Sequence, residues 1–242
     1  MDLDNYLGFL GEGMGSLLLV LGALAGAGVM SWAAKYYQRI CRQHGNGLAA
    51  CGLTGELVAQ RLLAACGLSE VKLVRSRRLN FYHPRKREVH LSATNFESPT
   101  LLALTTAAHE VGHAQQFASE IVLCRLRRIF WPICYVLIGL AVVLPLLCIA
   151  EVIQLPTNIG TFMLILGVVV VLLQLPVHLP LEYDASQRAR RLVQEAKLVG
   201  PGEQGAFDEM LKAAWFTHAA HVVQGGILLL AVAVMIFYVR TS

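Results

Sequence analysis

Four long apolar segments divide the chain, and each has the length that a transmembrane helix requires. They cover 14–34, 129–150, 159–177 and 222–239, and none of them contains Asp, Glu, Lys or Arg. A helix needs about 18 or more apolar residues to span a bilayer core. Ion and proton pathways usually place ionisable residues inside the membrane, so this pattern also disfavours a transporter. It predicts a mainly α integral membrane protein with about four transmembrane helices.

Composition and charge agree with a membrane location. Hydrophobic residues make up 56% of the chain and charged residues 15%, whereas about a quarter of an ordinary soluble domain is charged. Of the 20 Lys and Arg residues, 14 lie in 35–128 and 5 in 178–221. The positive-inside rule then makes both regions cytoplasmic. We expect a multi-pass protein of a cell membrane, most simply a bacterial inner membrane, with the lipid bilayer as a partner.

These assignments divide the chain into five parts. The leading segment carries acidic residues and no basic one, the reverse of a signal peptide, so we expect the first span to be a retained anchor. The parts are an outward segment with the first transmembrane helix (1–34), a cytoplasmic region with a small β element (35–128), a transmembrane hairpin (129–177), cytoplasmic helices (178–221) and a last transmembrane helix (222–242).

The clearest chemical signal is an H-E-x-x-H pattern formed by His109, Glu110 and His113. Histidines four residues apart on a helix lie about 5 to 6 Å apart at Cβ, which suits two imidazoles bound to one Zn²⁺. Glu110 projects from the next position and can act as general base toward a zinc-activated water. The helix is predicted to start with Ser98 as N-cap and Pro99 in its first turn.

A catalytic zinc site usually has three protein ligands, so a third is needed. Glu182 is the best candidate, because a carboxylate on a buried face costs several kcal/mol unless it is paired or metal-bound. The predicted apolar face that it shares comprises Ala185, Ala189, Val193 and Ala196. Asp184 lies on the polar face. It either orients a ligand histidine from the second shell of the site or simply forms an ion pair with Arg188.

A small mixed region precedes the metal helix. Thr54 is expected to cap a helix that reaches about Cys66. Three short strands are predicted at 71–74, 79–82 and 88–91, with a turn at 83–85. A strand just upstream of the metal helix often pairs with substrate in zinc peptidases, so 87–91 is a candidate for backbone recognition, with a plain structural hairpin as an equal alternative. The buried stripe of the helix is expected to comprise Leu57, Val58, Leu62 and Leu63.

Several stretches resemble the YugP-type neutral zinc metallopeptidases of bacterial membranes, over about Gly52 to the C-terminus. They are Thr54-Gly55, Tyr82 to Lys86, Val89 to Ser92, Ala107 to Gln116 and Leu181 to Ala189. The resemblance implies zinc at His109 and His113 with Glu110 as base. The order of metal helix, two spans and Glu-bearing helix is also similar to that of the CAAX prenyl proteases. This implies Glu182 as third ligand, although those enzymes have Asp where this chain has Ser186.

The remaining histidines receive plainer interpretations. His83, with Tyr82, is a candidate for contact with substrate or with the oxyanion of a tetrahedral intermediate. His178 is expected at the membrane interface. His218 and His221 could face the site, but a surface position is favoured for both. The basic clusters are explained by anionic lipid, since no nucleic-acid-binding motif accompanies them, and no nucleic acid is expected as a partner.

Together these features predict a zincin-like site on the cytoplasmic side that hydrolyses peptide bonds, with Zn²⁺ as cofactor. The substrate class is a peptide or a membrane protein, and the sequence leaves the oligomeric state open. The alternative is a membrane scaffold or quality-control adaptor that binds a metal without catalysis. The presence of Glu110 argues against it, because a structural metal site needs no base.

Overall fold

The structure is a computed structural model that describes residues 3–149 and 157–241. The described chain is mainly helical, as predicted, with a small three-stranded sheet. Its elements are α1 (Leu3–His44), α2 (Gly55–Ala65), β1 (Lys72–Ser76), β2 (Phe81–His83), β3 (Glu88–Ser92), α3 (Ala93–Glu97), α4 (Leu101–Ala118), α5 (Val122–Ile149), α6 (Thr157–Glu195) and α7 (Gln204–Thr241).

Residue contacts divide the chain into two units. Unit 1 comprises Met1–Trp32, Leu126–His178 and Ala219–Ser242, and unit 2 comprises Ala33–Arg125 and Leu179–His218. Every residue that the sequence predicts to bind zinc or to act in catalysis lies in unit 2.

Two helical stretches, Leu17–His44 and Gln204–Val232, are long and apolar enough to cross a bilayer, among the residues whose side chains are described. This is two spans where four were predicted. Both helices continue past the predicted apolar limits, because the polar residues beside those segments are helical as well. The predicted spans at 129–150 and 159–177 include many residues whose side chains lie outside the described part, and they stay predictions.

Within unit 1, two glycines of α1 allow this helix to lie directly on α7. A Cβ atom at Gly22 would be 2.3 Å from the Ala231 Cβ, and one at Gly26 would be 3.2 Å from Gln224 Cγ. Glycines four residues apart make such close packing possible because neither carries a side chain. The G-x-x-x-G pair is therefore used inside the chain.

In unit 2 the predicted β element is present, with its strands in the order β1, β3, β2. β1 pairs with β3 in parallel, and β2 pairs with β3 antiparallel. The interpretation of 87–91 as a substrate-pairing strand was wrong. β3 is the central strand, so both of its edges already bond to neighbouring strands. The turn predicted at 83–85 lies at 84–87, between β2 and β3, and His83 is the last residue of β2.

Local capping differs from the prediction at one of two helices. Thr54 caps α2 as predicted, accepting a hydrogen bond from the Leu57 amide. The cap of α4 is Thr100, not Ser98. The chain before α4 runs beside an earlier segment, so Pro99 is extended rather than helical, and its carbonyl accepts a hydrogen bond from the Ala49 amide.

The core of unit 2 lies where the sheet, α2, α4, α6 and α7 meet. The predicted stripe of α2 was correct except for Leu57, which is 45% exposed, while Ala59 is buried in its place. Fully buried residues of the other elements include Val89, Leu91, Leu104, Val111, Ala189, Val193 and Phe207. This packing fixes α4 against α6, the two helices that carry the candidate metal ligands.

Candidate metal centre

Helix α4 carries the H-E-x-x-H residues and lies in direct contact with α6. A Cβ atom at Gly112 would lie 2.4 Å from the Ala185 carbonyl oxygen, closer than real Cβ atoms come to backbone. The two helix backbones can touch here because position 112 has no side chain. Glu182 lies one turn before Ala185 on α6, so this contact brings its carboxylate to the two histidines of α4.

The structure brings His109, His113 and Glu182 to one point. The Glu182 Oε2 atom lies 3.5 Å from His109 Nε2 and 3.2 Å from His113 Nε2. Their ligand atoms all lie within 4.8 Å of one another. The Glu182 side chain is 2% exposed, and the two imidazoles are 13% and 10% exposed. The three residues form a largely buried cluster with the composition of a zinc site.

Gln116 fixes the proton position on His113. Its side-chain amide nitrogen donates hydrogen bonds to the Leu181 carbonyl at 2.8 Å and to the Asp184 carboxylate at 2.9 Å. The Gln116 Oε1 atom therefore faces His113 Nδ1, at 3.2 Å, as an acceptor. The proton of the neutral ring must then be on Nδ1, and Nε2 presents a lone pair to the cluster.

Ser186 has the same effect on His109. The Ser186 hydroxyl donates to the Glu182 carbonyl at 2.9 Å, which leaves its oxygen to accept from His109 Nδ1 at 3.4 Å. Both histidines therefore direct a lone pair toward the Glu182 carboxylate.

This donor set fits a zinc ion. Ligands placed tetrahedrally at 2.0–2.1 Å from zinc lie about 3.3 Å from one another, and the observed nitrogen-to-oxygen distances are 3.2 and 3.5 Å. Two lone pairs and a carboxylate repel one another unless a cation lies among them. Burial alone would raise the pKa of Glu182, but with no ion present a positive charge on His113 and hydrogen bonds from His109 and His113 outweigh this effect and hold the pKa well below its ordinary value. A bound zinc ion would supply that positive charge instead, with the two lone pairs directed to it.

Asp184 combines the two roles that the sequence left open. It accepts a hydrogen bond from Arg188 Nε at 2.7 Å, which is the ion pair four residues apart. It also accepts from Gln116, which in turn holds His113. Arg188 donates further to Ser119 at the end of α4, at 3.1 Å. Asp184 is therefore placed to support His113 through Gln116.

Glu110 lies between the two histidines on α4 and is 7% exposed. The Tyr37 phenol of α1 interacts electrostatically with its carboxylate and hydrogen-bonds the Cys41 thiol. The sequence gave no role to Tyr37, because no local pattern relates the position of α1 to that of α4. General base catalysis at a metal site requires a carboxylate that lies beside the ligands but does not bind the metal itself.

Tyr82 and His83 lie in β2. The Tyr82 ring packs against Phe117 of α4, with ring centroids 5.8 Å apart. His83 Nδ1 accepts a hydrogen bond from the Lys86 amide at 3.3 Å, within the turn that follows β2. These contacts are structural, and a role for either residue at an oxyanion or a substrate stays a prediction.

His218 faces the site, which was the less favoured of its two predicted positions, and remains partly exposed. Its Nε2 atom lies 3.4 Å from Glu182 Oε2, and its side chain is 37% exposed. His221 is exposed, as expected, whereas His178 of unit 1 is buried. A periodic pattern could not find His218, because it does not show which face of α7 meets α6. In the structure, Trp215 marks that face three residues earlier, because its indole donates to the Leu179 carbonyl of α6 at 3.3 Å.

We expect Gln116→Ala to weaken zinc binding by about 10–100-fold, the usual effect of losing a residue that orients a metal ligand. The substitution removes the acceptor that holds His113 Nδ1. Competition with a chromophoric chelator measures the change, and Gln115→Ala is the control because it alters the neighbouring residue of the same type. Equal zinc affinity in the two variants would contradict a role for Gln116.

Comparison with known proteins now places the chain in a class. It belongs to the family described as "putative neutral zinc metallopeptidase", whose model matches residues 17–238. It is 29% identical over 206 residues to "Putative membrane protease YugP" of Bacillus subtilis (strain 168), across 84% of this chain and 90% of that protein. No solved structure matches the chain. The family bears out the resemblance seen in the motifs and implies zinc as the metal.

Proposed function

We propose that the protein is a membrane-embedded, zinc-dependent peptidase that hydrolyses peptide bonds at the cytoplasmic face of the membrane. The observation that carries the proposal is the buried convergence of His109, His113 and Glu182, with Glu110 on the same turn of α4. Membership of a zinc metallopeptidase family and similarity to a membrane protease support the same activity.

In this proposal His109, His113 and Glu182 hold the zinc ion. Zinc, when bound, supplies a Lewis acid that polarises the scissile carbonyl and acidifies a water molecule. Glu110 accepts a proton from the attacking water and passes it to the leaving nitrogen. Gln116 and Ser186 keep the two imidazoles in the tautomer that ligation needs.

The cytoplasmic location is part of the proposal and is supported by the distribution of basic residues. The regions 35–128 and 178–221, which include all the candidate ligands, hold 19 of the 20 Lys and Arg residues. Peptides near the membrane and loops of membrane proteins are then the accessible substrates. Faster cleavage of soluble casein than of a bilayer-embedded protein substrate would argue against this choice.

The zinc content of purified variants is the first test. We expect one zinc ion per chain in wild-type protein purified in detergent without chelators, and loss of that zinc in Glu182→Ala. Glu195→Ala is the matched control, because Glu195 lies on the same helix and is exposed. Elemental analysis of the three proteins gives the answer. Wild-type protein without zinc would contradict the proposed zinc site, whereas wild-type protein that binds zinc but cleaves no peptide would favour the non-catalytic scaffold instead.

A further inference from the structure

His218 reaches the metal cluster from a third helix. It lies on α7, while the two other imidazoles lie on α4 and the carboxylate on α6. Its Nε2 atom is 3.4 Å from the same Glu182 oxygen that faces His109 and His113. The Trp215 indole, one turn earlier on α7, donates to the Leu179 carbonyl at 3.3 Å. This bond holds α7 against α6 at the level of Glu182.

His218 does not belong to the mutual cluster of ligand atoms. In that cluster, the ligand atoms of His109, His113 and Glu182 all lie within 4.8 Å of one another. Ligands around one tetrahedral zinc lie about 3.3 Å from one another, so a fourth ligand would have to approach the two other imidazoles as closely as it approaches the carboxylate. His218 is not grouped with His109 and His113 within 4.8 Å, so it lies farther from these imidazoles than a fourth ligand of the same ion would.

The need of the Glu182 carboxylate for a hydrogen-bond donor suggests a role for His218. A carboxylate that binds a metal is normally held by hydrogen-bond donors of its own, which fix its orientation. When their Nε2 atoms hold the ion, His109 and His113 carry their protons on Nδ1, toward Ser186 and Gln116, and cannot donate to the carboxylate. The Nε2 atom of His218 lies 3.4 Å from Glu182 Oε2, at ion-pair distance, and can carry a proton that faces the carboxylate.

We propose that His218 is a positioning residue of the metal centre: its Nε2–H donates to the Glu182 carboxylate and orients it toward the ion. The inference rests on the proposed zinc site, though not on peptidase activity. It assigns α7 to the assembly of the site together with α4 and α6. It also explains the position of a part-exposed imidazole beside a carboxylate that is 2% exposed.

Zinc affinity and cobalt spectra of four proteins test the proposal: wild type, His218→Ala, His218→Gln and His221→Ala. We expect His218→Ala to bind zinc about 10–100-fold more weakly, as for other residues that support a ligand. His218→Gln should restore affinity to within about threefold, since its amide nitrogen can take the position of the imidazole Nε2–H. His221→Ala, an exposed histidine one turn away, should match wild type. Unfolding temperatures of all four exclude a general loss of structure as the cause.

The visible spectrum of the cobalt-substituted protein separates positioning from ligation. If His218 positions Glu182, the four proteins share one cobalt spectrum when saturated with the ion. A changed coordination spectrum in His218→Ala would show that His218 is a ligand and would overturn the proposal. Unchanged zinc affinity in His218→Ala, or no recovery in His218→Gln, would overturn it as well.

Failure of the proposed function gives a different result from failure of this inference. A wild-type protein that binds zinc but cleaves no peptide contradicts the peptidase and leaves the His218 measurements valid. A wild-type protein that binds no zinc contradicts both.

Discussion

Replacing Glu110 by glutamine is expected to abolish peptide hydrolysis while the zinc content stays at the wild-type level. Glutamine keeps the size of the side chain but cannot accept the proton of the attacking water. Loss of a positioned general base lowers the rate by about 10²–10⁴-fold. Because Glu110 lies beside the metal cluster and is not one of its three members, zinc should remain bound. Hydrolysis rate and zinc content are measured on the same preparation.

The control for this experiment is Glu195→Gln, which changes an exposed glutamate of α6 and should leave both quantities unaltered. Glu110→Gln protein that retains zinc and more than about a tenth of the wild-type rate would assign the base to another group. Loss of zinc in Glu110→Gln would instead show that Glu110 contributes to the metal site.

Replacing Gly112 by alanine is expected to disrupt the metal centre from outside the ligand set. The new Cβ atom would lie 2.4 Å from the Ala185 carbonyl oxygen, so α4 and α6 would have to separate. Overpacking of this kind costs about 1–3 kcal/mol, more than the roughly 1 kcal/mol that alanine gains over glycine in a helix. Separation carries Glu182 away from His109 and His113, and we expect zinc affinity to fall at least about tenfold.

Gly205→Ala provides the comparison for this variant, because its Cβ atom would meet nothing within 4 Å in the described part of α7. It should be neutral or slightly stabilising. Thermal unfolding and zinc competition are measured on both variants. Wild-type affinity in Gly112→Ala would show that the approach of α6 does not set the position of Glu182.

Helical periodicity was sufficient to select the three candidate ligands, although not to show that they meet. His109 and His113 share one face of any helix that contains them, and the apolar stripe that includes Ala185 and Ala189 requires Glu182 to be buried. Both conclusions depend on residues within a few positions of one another. Local pattern carries this information reliably because the α-helix repeats every 3.6 residues.

Contacts between distant segments could not be predicted in the same way. Ser98 and Thr100 both have a hydroxyl that can cap a helix. The choice between them depends on the hydrogen bond from the Ala49 amide to the Pro99 carbonyl, which keeps the chain extended before α4. The central position of β3 depends on its parallel pairing with β1, which alternating hydrophobicity does not show. His218 was misplaced for the same reason, since the face of α7 that meets α6 is a property of the folded unit.

The number of membrane spans shows a further limit. Hydropathy identifies apolar segments that are long enough to span a bilayer, and it identified four in this chain. It does not mark where a helix ends, and α1 and α7 both run well past their apolar cores into polar sequence. These polar extensions carry Tyr37, to which the sequence gave no role, and His218, for which it favoured a surface position.

The order of the ligands along the chain has a consequence for biosynthesis. The ribosome completes α4 with both histidines before it has made α5, and Glu182 follows only near the end of α6. A nascent chain that stops anywhere between these helices lacks the third ligand and cannot close the cluster. If these residues hold zinc as proposed, metal capture is a late event in the maturation of the protein, and an incomplete polypeptide lacks the proposed peptidase site.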